Sequence, residues 1–362
     1  MDYTVESAAN ALLDGASMCD AALYLMPGGC RLRLRSNSAE LLAGLGDYFS
    51  HVVSDAGMPD IDVIAVERDA PEPGIEFVDW KREPGKTGRK DSYFDLPGGR
   101  MVRKVRTGMV FLQSEQHVIA AGPCRKYDNQ VINFINSQYM NWLQNRGWLI
   151  CHAAGLVYRG NCLGIAGFSG GGKSTLMLHL LDNDETAYLT NDRLFIQADA
   201  DQTMARGIPK LPRINPGTII HNQKLHSLIP AAQREALLQL PAAELWELEE
   251  KYDVHIDRVY GPGRIITEAP LAAFLLLDWQ RDSEQKLTVE QVNLATQRDL
   301  LGALMKSPGP FYQYPDGSFL QDTADFDEKG YLQVLENVAV YVARGRIDFS
   351  ALAEHCLHEL LA

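Results

Sequence analysis

The amino-acid sequence predicts an α/β domain with a phosphate-binding loop in its second half, preceded by an α+β domain. Three observations lead there. The stretch Gly167-Phe-Ser-Gly-Gly-Gly-Lys-Ser174 fits G-x-x-x-x-G-K-[ST] at every fixed position. An apolar, strand-like run (Leu163, Ile165, Ala166) precedes it and a helical run (Leu176, Met177, Leu178, Leu180, Leu181) follows, the strand–loop–helix frame such a loop requires. Before residue 147, β-forming runs mingle with three helical patterns, and no recognisable chemistry accompanies them. A length of 362 residues fits two domains, expected over 1–146 and 147–362.

The first domain reads as follows. Residues 4–18 form a short amphipathic helix with Ala8, Leu12 and Leu13 on one face. Ala21–Met26 and Cys30–Arg35 are strands around the turn Pro27-Gly28-Gly29. Arg31, Arg33 and Arg35 alternate with Leu32 and Leu34, which gives a basic face, read as the solvated side of a sheet. Ser38 caps a helix through His51, and Ile61–Val66 is a strand. Residues 69–74 and 82–91, with the basic Lys86-Thr-Gly-Arg-Lys90, are loops. Ser92–Ala121 reads strand–turn–strand, and Tyr127–Arg146 is a helix whose aromatic stripe packs a core.

The second domain opens with strands over Trp148–Tyr158 and Asn161–Ala166, which place His152 on the strand before the loop. After the loop helix, the strand Ala187–Thr190 ends at Asn191 and Asp192. Ligands of α/β sheets sit beyond the C-terminal ends of strands, so these two side chains are expected to face the loop. Leu194–Gln197 continues as a strand, and three prolines forbid a helix over 207–217, where Lys210 and Arg213 lie. Residues 231–251 are expected helical and split near Pro241, with Leu245, Trp246 and Leu248 apolar. Leu271–Asp278 reads as a buried strand, Thr288–Lys306 and Phe326–Arg344 as largely helical, and Phe349–Leu361 as a terminal helix.

Each residue type in the loop has a physical reason. Phosphate oxygens must approach backbone N–H groups, and Gly167, Gly170, Gly171 and Gly172 remove Cβ atoms from their path and permit positive φ. With Ser169 they form an anion nest, to which the following helix adds its positive end. Lys173 reaches β/γ-phosphates, Ser174 ligates Mg²⁺, and Thr175 is placed for an α-phosphate. A glycine-rich turn capping an ordinary helix is the competing reading.

The bulk numbers exclude several classes. A net charge of −13 argues against nucleic-acid or anionic-membrane partners, so any nucleotide site must be a local basic island. Six scattered cysteines with no C-x-x-C pair offer neither a zinc site nor a disulfide framework. With no secretory signal at the start and Leu271–Leu277 as the longest apolar run, the expected location is the cytoplasm.

Three segments together resemble a known family. His152-Ala153, then Gly167-Phe-Ser-Gly-Gly-Gly-Lys-Ser174, then Leu189-Thr-Asn-Asp192 look like the H-G, GxSGxGKS and V-A-D-D series of HPr kinase/phosphorylase. Arg206-Gly207-Ile208 echoes a later Arg-Gly signature, Leu271–Trp279 looks like an apolar strand ending in an acid and a tryptophan, and Leu245–Arg264 looks closer to the subgroup called HprK-related kinase B. The resemblance covers about 147–280. It implies an HPr-kinase-like fold related to phosphoenolpyruvate carboxykinase, ATP-dependent serine phosphorylation, Mg²⁺ and a homo-oligomer, commonly a hexamer. It implies that His152 is the active-site histidine and Asp192 a metal or water ligand. The first aspartate of that pair is Asn191 here, and an amide accepts no proton at neutral pH.

Two functions therefore stand open. One is an Mg·ATP-dependent kinase acting on a hydroxyl, a serine above all, of a small partner protein, peptide or small molecule. Its catalytic residues are Lys173, Asp192, His152 and, in altered form, Asn191. The other is an ATP-binding regulator with little turnover. Arg264, in its glycine loop, is a further candidate for a transition-state cation.

Overall fold

The structure, a computed structural model, describes residues 3–82, 87–167, 171–241, 244–245, 248, 250–280, 283–346 and 348–361. Of the expectations above, those for Lys86, Trp246, Ser169 and Gly170 lie outside these residues. The chain divides into two compact units, Met1–Gly147 with Ser307–Asp325, and Trp148–Lys306 with Phe326–Ala362. The boundary expected after residue 146 falls after 147, and Ser307–Asp325, expected in the second domain, joins the first unit instead.

The first unit is built on one sheet. Its strands are β1 (Leu23–Leu25), β2 (Leu32–Ser36), β3 (Ile61–Glu67), β4 (Val78–Asp79), β5 (Asp91–Leu96), β6 (Gly99–Lys104), β7 (Val110–Ser114) and β8 (Val118–Gly122), in the order β1-β2-β3-β8-β7-β6-β5-β4. β2, β3 and β8 pair in parallel and the rest antiparallel. Helix α1 (Val5–Leu13) starts from a reciprocal cap between Thr4 and Ser7 and ends at Leu13, short of residue 18, just before Gly15 at φ +70°. Helix α2 (Ala39–Tyr48) is capped by Ser38, and α3 (Asp128–Gln144) buries Val131, Phe134, Ile135 and Tyr139. The basic face of β2 is ion-paired: Arg33 and Arg35 converge on Asp62 of the neighbouring strand.

Backbone carbonyls tie Ser307–Asp325 to this unit. The fully buried Arg100 bonds Asp95 and donates to Pro310 O and Leu320 O (3.2 and 2.8 Å). Asn141 Nδ2 donates to Phe311 O at 2.7 Å, and the Phe311 ring packs edge-on against Phe111 and Phe134. Such anchors leave no periodicity in the segment itself, which is why its sequence places it nowhere.

The second unit continues with β9 (Leu149–Cys151), β10 (Ala153–Tyr158), β11 (Asn161–Gly167), α4 (Lys173–Leu181), β12 (Thr186–Thr190), β13 (Leu194–Asp199), β14 (Gln202–Arg206), β15 (Arg213–Ile214), α5 (Pro216–Ile220), β16 (Tyr252–Asp253), β17 (Glu268–Leu277), β18 (Thr288–Val292) and β19 (Ala339–Arg344). β12-β10-β11-β17-β19-β18 run side by side, while the first residues of β17 also pair β14, then β13 and β9. β11, β17 and β19 are parallel, and β10 lies antiparallel between β11 and β12. Leu176, Met177, Leu178, Leu180 and Leu181 of α4 are wholly buried, each such side chain stabilising the fold by about 1.5–3 kcal/mol.

Two helical expectations fail. Thr288–Lys306 begins with strand β18 and holds one short helix, Leu301–Leu304; Phe326–Arg344 is helical over Glu328–Val334 and then becomes β19. In both, β-branched runs (Val289, Val292; Val340, Val342) pair along a sheet, and tertiary pairing overrides an ambiguous apolar pattern. The helical pattern expected over 231–251, split near Pro241, gives a helix over Ala231–Leu238 and helical residues again at Glu244 and Leu245, and the terminal helix changes to a wider turn after His355. No helix among the described residues is long and apolar enough to cross a membrane.

Phe311→Ala removes an aromatic ring from the core of the first unit. It is expected to lower that unit's unfolding free energy by about 3 kcal/mol, read as faster amide exchange across β6 and β7.

Candidate functional site

Strand polarity collects the site. Because β10 is antiparallel to both β11 and β12, its first end lies beside the last ends of β11, β12 and β17. His152 precedes β10, Gly167 ends β11, Asn191 follows β12, and Asp278 and Trp279 follow β17. A cleft of about 900 Å³ opens there, and His152, Gly171, Gly172, Lys173, Ser174, Thr175, Asn191 and Asp192 all line it.

The glycines at the loop's two described ends are required by shape. Gly167, at φ +152°, ends against β17, where a Cβ would stand 2.8 Å from Leu277 O. Gly172 caps α4 at φ +81°, and a Cβ there would stand 2.5 Å from the Phe349 ring. The first hydrogen bond of α4 runs from Leu176 N–H to Gly172 O, which leaves the amides of Lys173, Ser174 and Thr175 without intrahelical acceptors. Trp279 Nε1 donates to Gly171 O at 2.8 Å and packs edge-on against Phe349, so the strand end of β17 clamps the loop. The Thr175 hydroxyl pairs with Thr218 of α5 at 3.2 Å.

Lys173 is buried, and its ammonium donates to Gly167 O at 3.0 Å. Burial pushes its pKa below the ordinary lysine value, with Asp192 opposing and Lys306 and Arg193 adding to the fall. No carboxylate among the described residues lies within ion-pairing distance of it. A half-dry cation with two spare donors is a seat for an anion.

His152 and Asp192 meet at a break in a β ladder. Cys151 pairs with Leu194, and Gly155 with Thr190; between these pairs the chain passes from β9 to β10 on one side and from β12 to β13 on the other. In that gap His152 Nε2 lies 3.1 Å from Asp192 Oδ1. Arg193 bonds the other carboxylate oxygen, and Thr190 Oγ1 donates to Arg193 O at 3.0 Å, which closes the turn. Burial alone would raise the pKa of Asp192; the Arg193 charge, the His152 bond and Lys210 outweigh it and hold the carboxyl well below the usual range. Asn191 Oδ1 is buried with no hydrogen-bond partner among the described residues.

Gly207 braces the far side of this turn: a Cβ there would stand 1.9 Å from Leu189 O. Arg206 pairs with Glu268 beneath it and lies over the Trp148 ring. Arg264 is not a catalytic cation. Its guanidinium donates to Leu181 O, Asn183 O and Thr186 O (2.9, 2.8 and 2.6 Å), holding the carbonyls at the end of α4. Arg193, Asn215, Lys251 and Phe349 also line the cleft, and sequence reasoning missed them. For Arg193 the signal was its place next to Asp192; the others come from distant segments.

The donor set fits a nucleotide phosphate chain: free helix amides, Lys173, and a glycine cradle that side chains would fill. It fits Mg²⁺ in part. Ser174 and Asp192 supply one hydroxyl and one carboxylate, and each Asp192 oxygen keeps a second lone-pair direction. Among the described residues no group of three His, Cys, Asp or Glu side chains is placed to hold a metal.

Lys210 is the clearest titrating group outside the loop. Burial, then the Arg193 charge, bring it from 10.5 down to about 8, against the pull of Asp192. Its ammonium is charged below that pH and neutral above it. In protein carrying ¹³C-methylated lysines, one NMR resonance is therefore expected to titrate at about 8 and to vanish in Lys210→Met. A set of lysines all titrating at the ordinary value refutes this.

No protein-family model matches the chain, and no curated protein matches it. Among solved structures, the Hpr(Ser) kinase/phosphatase from Coxiella burnetii matches with a TM-score of 0.30 and 11% sequence identity, over 57% of this chain and 93% of that one. The likeness is a distant one of fold, and it shows no subgroup.

Proposed function

We propose that the cleft binds Mg·ATP on the loop Gly167–Thr175 and that the chain transfers the γ-phosphoryl group to a hydroxyl, a serine or a small alcohol. The observation that carries this reading is a juxtaposition at one sheet edge: the N-terminus of α4 with Lys173, and the His152–Asp192 pair facing the same cleft. Phosphoryl transfer asks for positioning and charge neutralisation rather than covalent help. The loop amides and Lys173 hold the phosphates. Bound Mg²⁺, on Ser174 and Asp192, supplies further neutralisation of phosphate charge.

Different environments favour different roles for the two candidate bases. A carboxyl whose pKa is held so low takes no proton at neutral pH, which leaves Asp192 a fixed acceptor and ligand. Asn191 takes none either. His152 remains: its Nε2–H donates to Asp192, which leaves Nδ1 as the basic nitrogen. Nδ1 accepts the acceptor's proton while the new P–O bond forms and the bond to the β-phosphate oxygen breaks, releasing ADP.

The second reading, an ATP-binding regulator with little turnover, draws on Asn191, whose buried amide oxygen stands where an acid is expected. Transfer from γ-labelled ATP decides between the two. Lys173→Ala is expected to weaken nucleotide binding about 100-fold. His152→Gln is expected to cut turnover by about 10²-fold or more while nucleotide affinity changes little. Nucleotide binding without transfer to any acceptor, with activity appearing in Asn191→Asp, would establish the regulator instead.

A further inference from the structure

The cleft holds more positive charge than a phosphate loop uses. Lys173, Arg193, Lys210, Arg213 and Lys251 line it, against Asp192 as the one carboxylate among its described lining residues, in a chain of net charge −13. Lys173 belongs to the loop and Arg193 is bonded to Asp192. Of the other three, Arg213 lies on a separate scaffold, Lys251 directly precedes its second strand, and Lys210 lies three residues before its first. β15 and β16 form a two-stranded antiparallel ribbon in which Arg213 faces Asp253 and Ile214 faces Tyr252. Side chains alternate along strands, so Ile214 and Tyr252 turn to the apolar core, while Arg213 and Asn215 share the opposite face and Lys251 continues it.

This wall is built, and its polar groups are only partly satisfied among the described residues. The Asn215 side-chain oxygen is buried with no hydrogen bond among the described residues. Arg213 Nε lies 3.2 Å from Asp253 Oδ1, near enough to ion-pair, yet the two are not aligned as a hydrogen bond. The backbone of Lys210 is fixed, its carbonyl accepting from the buried Tyr188 hydroxyl at 2.5 Å, while its ammonium has no hydrogen bond or ion pair among the described residues. The Thr175–Thr218 contact spaces this wall from the first turn of α4. A volume of about 900 Å³ is at the upper end for a single small-molecule pocket, which leaves room beside a nucleotide.

We infer that Lys210, Arg213 and Lys251 form a second anion subsite, which holds the phosphate or carboxylate group of a small hydroxyl-bearing acceptor. The inference rests on the nucleotide reading of the opposite wall, and it deepens that reading by giving the acceptor a charge. Anchoring the anionic end on the ribbon leaves the hydroxyl end free to reach towards His152.

Calorimetry on the full chain saturated with ADP and Mg²⁺ tests it, with glycerol 3-phosphate, glycerate and uncharged glycerol as probes. Binding of one or both anions, but not of glycerol, is expected. Lys210→Met is expected to weaken it about tenfold or more, and the exposed-site variant Lys251→Met, which leaves the core untouched, several-fold, with ADP affinity held within about twofold. Glycerol 3-phosphate alone binding identifies a phosphate subsite, and glycerate alone a carboxylate subsite; each supports the inference. Equal binding in wild type and both variants overturns it, as does no anion binding at about 10 mM to protein that binds ADP. Lysine-dependent binding of an acidic serine peptide, with no binding of either small anion, overturns it in favour of a protein acceptor. Failure of ADP to bind, with lysine-dependent anion binding intact, removes the nucleotide reading and leaves the subsite standing.

Discussion

The parallel pairing of β11 with β17 is the constraint on which the site depends. Cys162–Gly167 lie along Leu271–Leu277, and the two strands end together at Gly167 and Leu277. That shared end leaves no room for a side chain at Gly167, and it places Trp279 where its indole reaches Gly171 O. The loop is thus held at Gly167 by one strand and at Gly171 by the continuation of another. Shifting either strand by one residue would exchange its two faces and uncouple the indole from the loop.

The His152–Asp192 pair occupies an interruption of the sheet. Residues at 152 and at 191–193 give up ladder hydrogen bonds where two strands change neighbours. Unmade backbone bonds are costly when buried, and here the structure replaces part of them: His152 N–H donates to Leu304 O, and Thr190 Oγ1 to Arg193 O. Side chains in such a gap are released from the alternation of a strand, so His152 and Asp192 can meet edge to edge. Gly207, pressed on Leu189 O, stops the gap from collapsing or widening.

What the sequence made legible follows from the range of the forces involved. The loop is local: glycines, a lysine and a hydroxyl within eight residues, flanked by a strand and a helix, can be read without tertiary knowledge. Asp192 was readable as a residue at a strand end, and His152 as a candidate only through the family resemblance. Arg193 was not, because its role lies in the bond it makes to its own neighbour's carboxylate. Arg264 was misjudged for a related reason. A glycine-flanked arginine looks mobile, yet this one is fixed by three carbonyls from residues some eighty positions earlier. The strands β18 and β19 read as helix since short apolar runs carry no decisive period, and Ser307–Asp325 carried no signal because carbonyls bonded by Arg100 and Asn141, with single rings such as Phe311, hold it rather than a periodic apolar face.

The charge distribution adds a functional consequence. The surface as a whole repels anions, while the cleft gathers five cations against one described carboxylate. At physiological ionic strength the general repulsion decays over about 8 Å, whereas contacts inside a recessed cleft are screened far less. Long-range steering therefore gives an anionic ligand no advantage, and selection falls to the bonds made after entry. Those bonds differ on the two walls. The loop offers directional amides that match a chain of phosphates. The opposite wall offers the Arg213 guanidinium and the ammonium groups of Lys210 and Lys251, and the ammonium groups act as point charges that accept either a phosphate or a carboxylate. Under the function and subsite proposed above, such a cleft would be exacting about its nucleotide and tolerant about the charged group on its acceptor, and the reach from Arg213 and its neighbouring lysines to His152 would set the specificity.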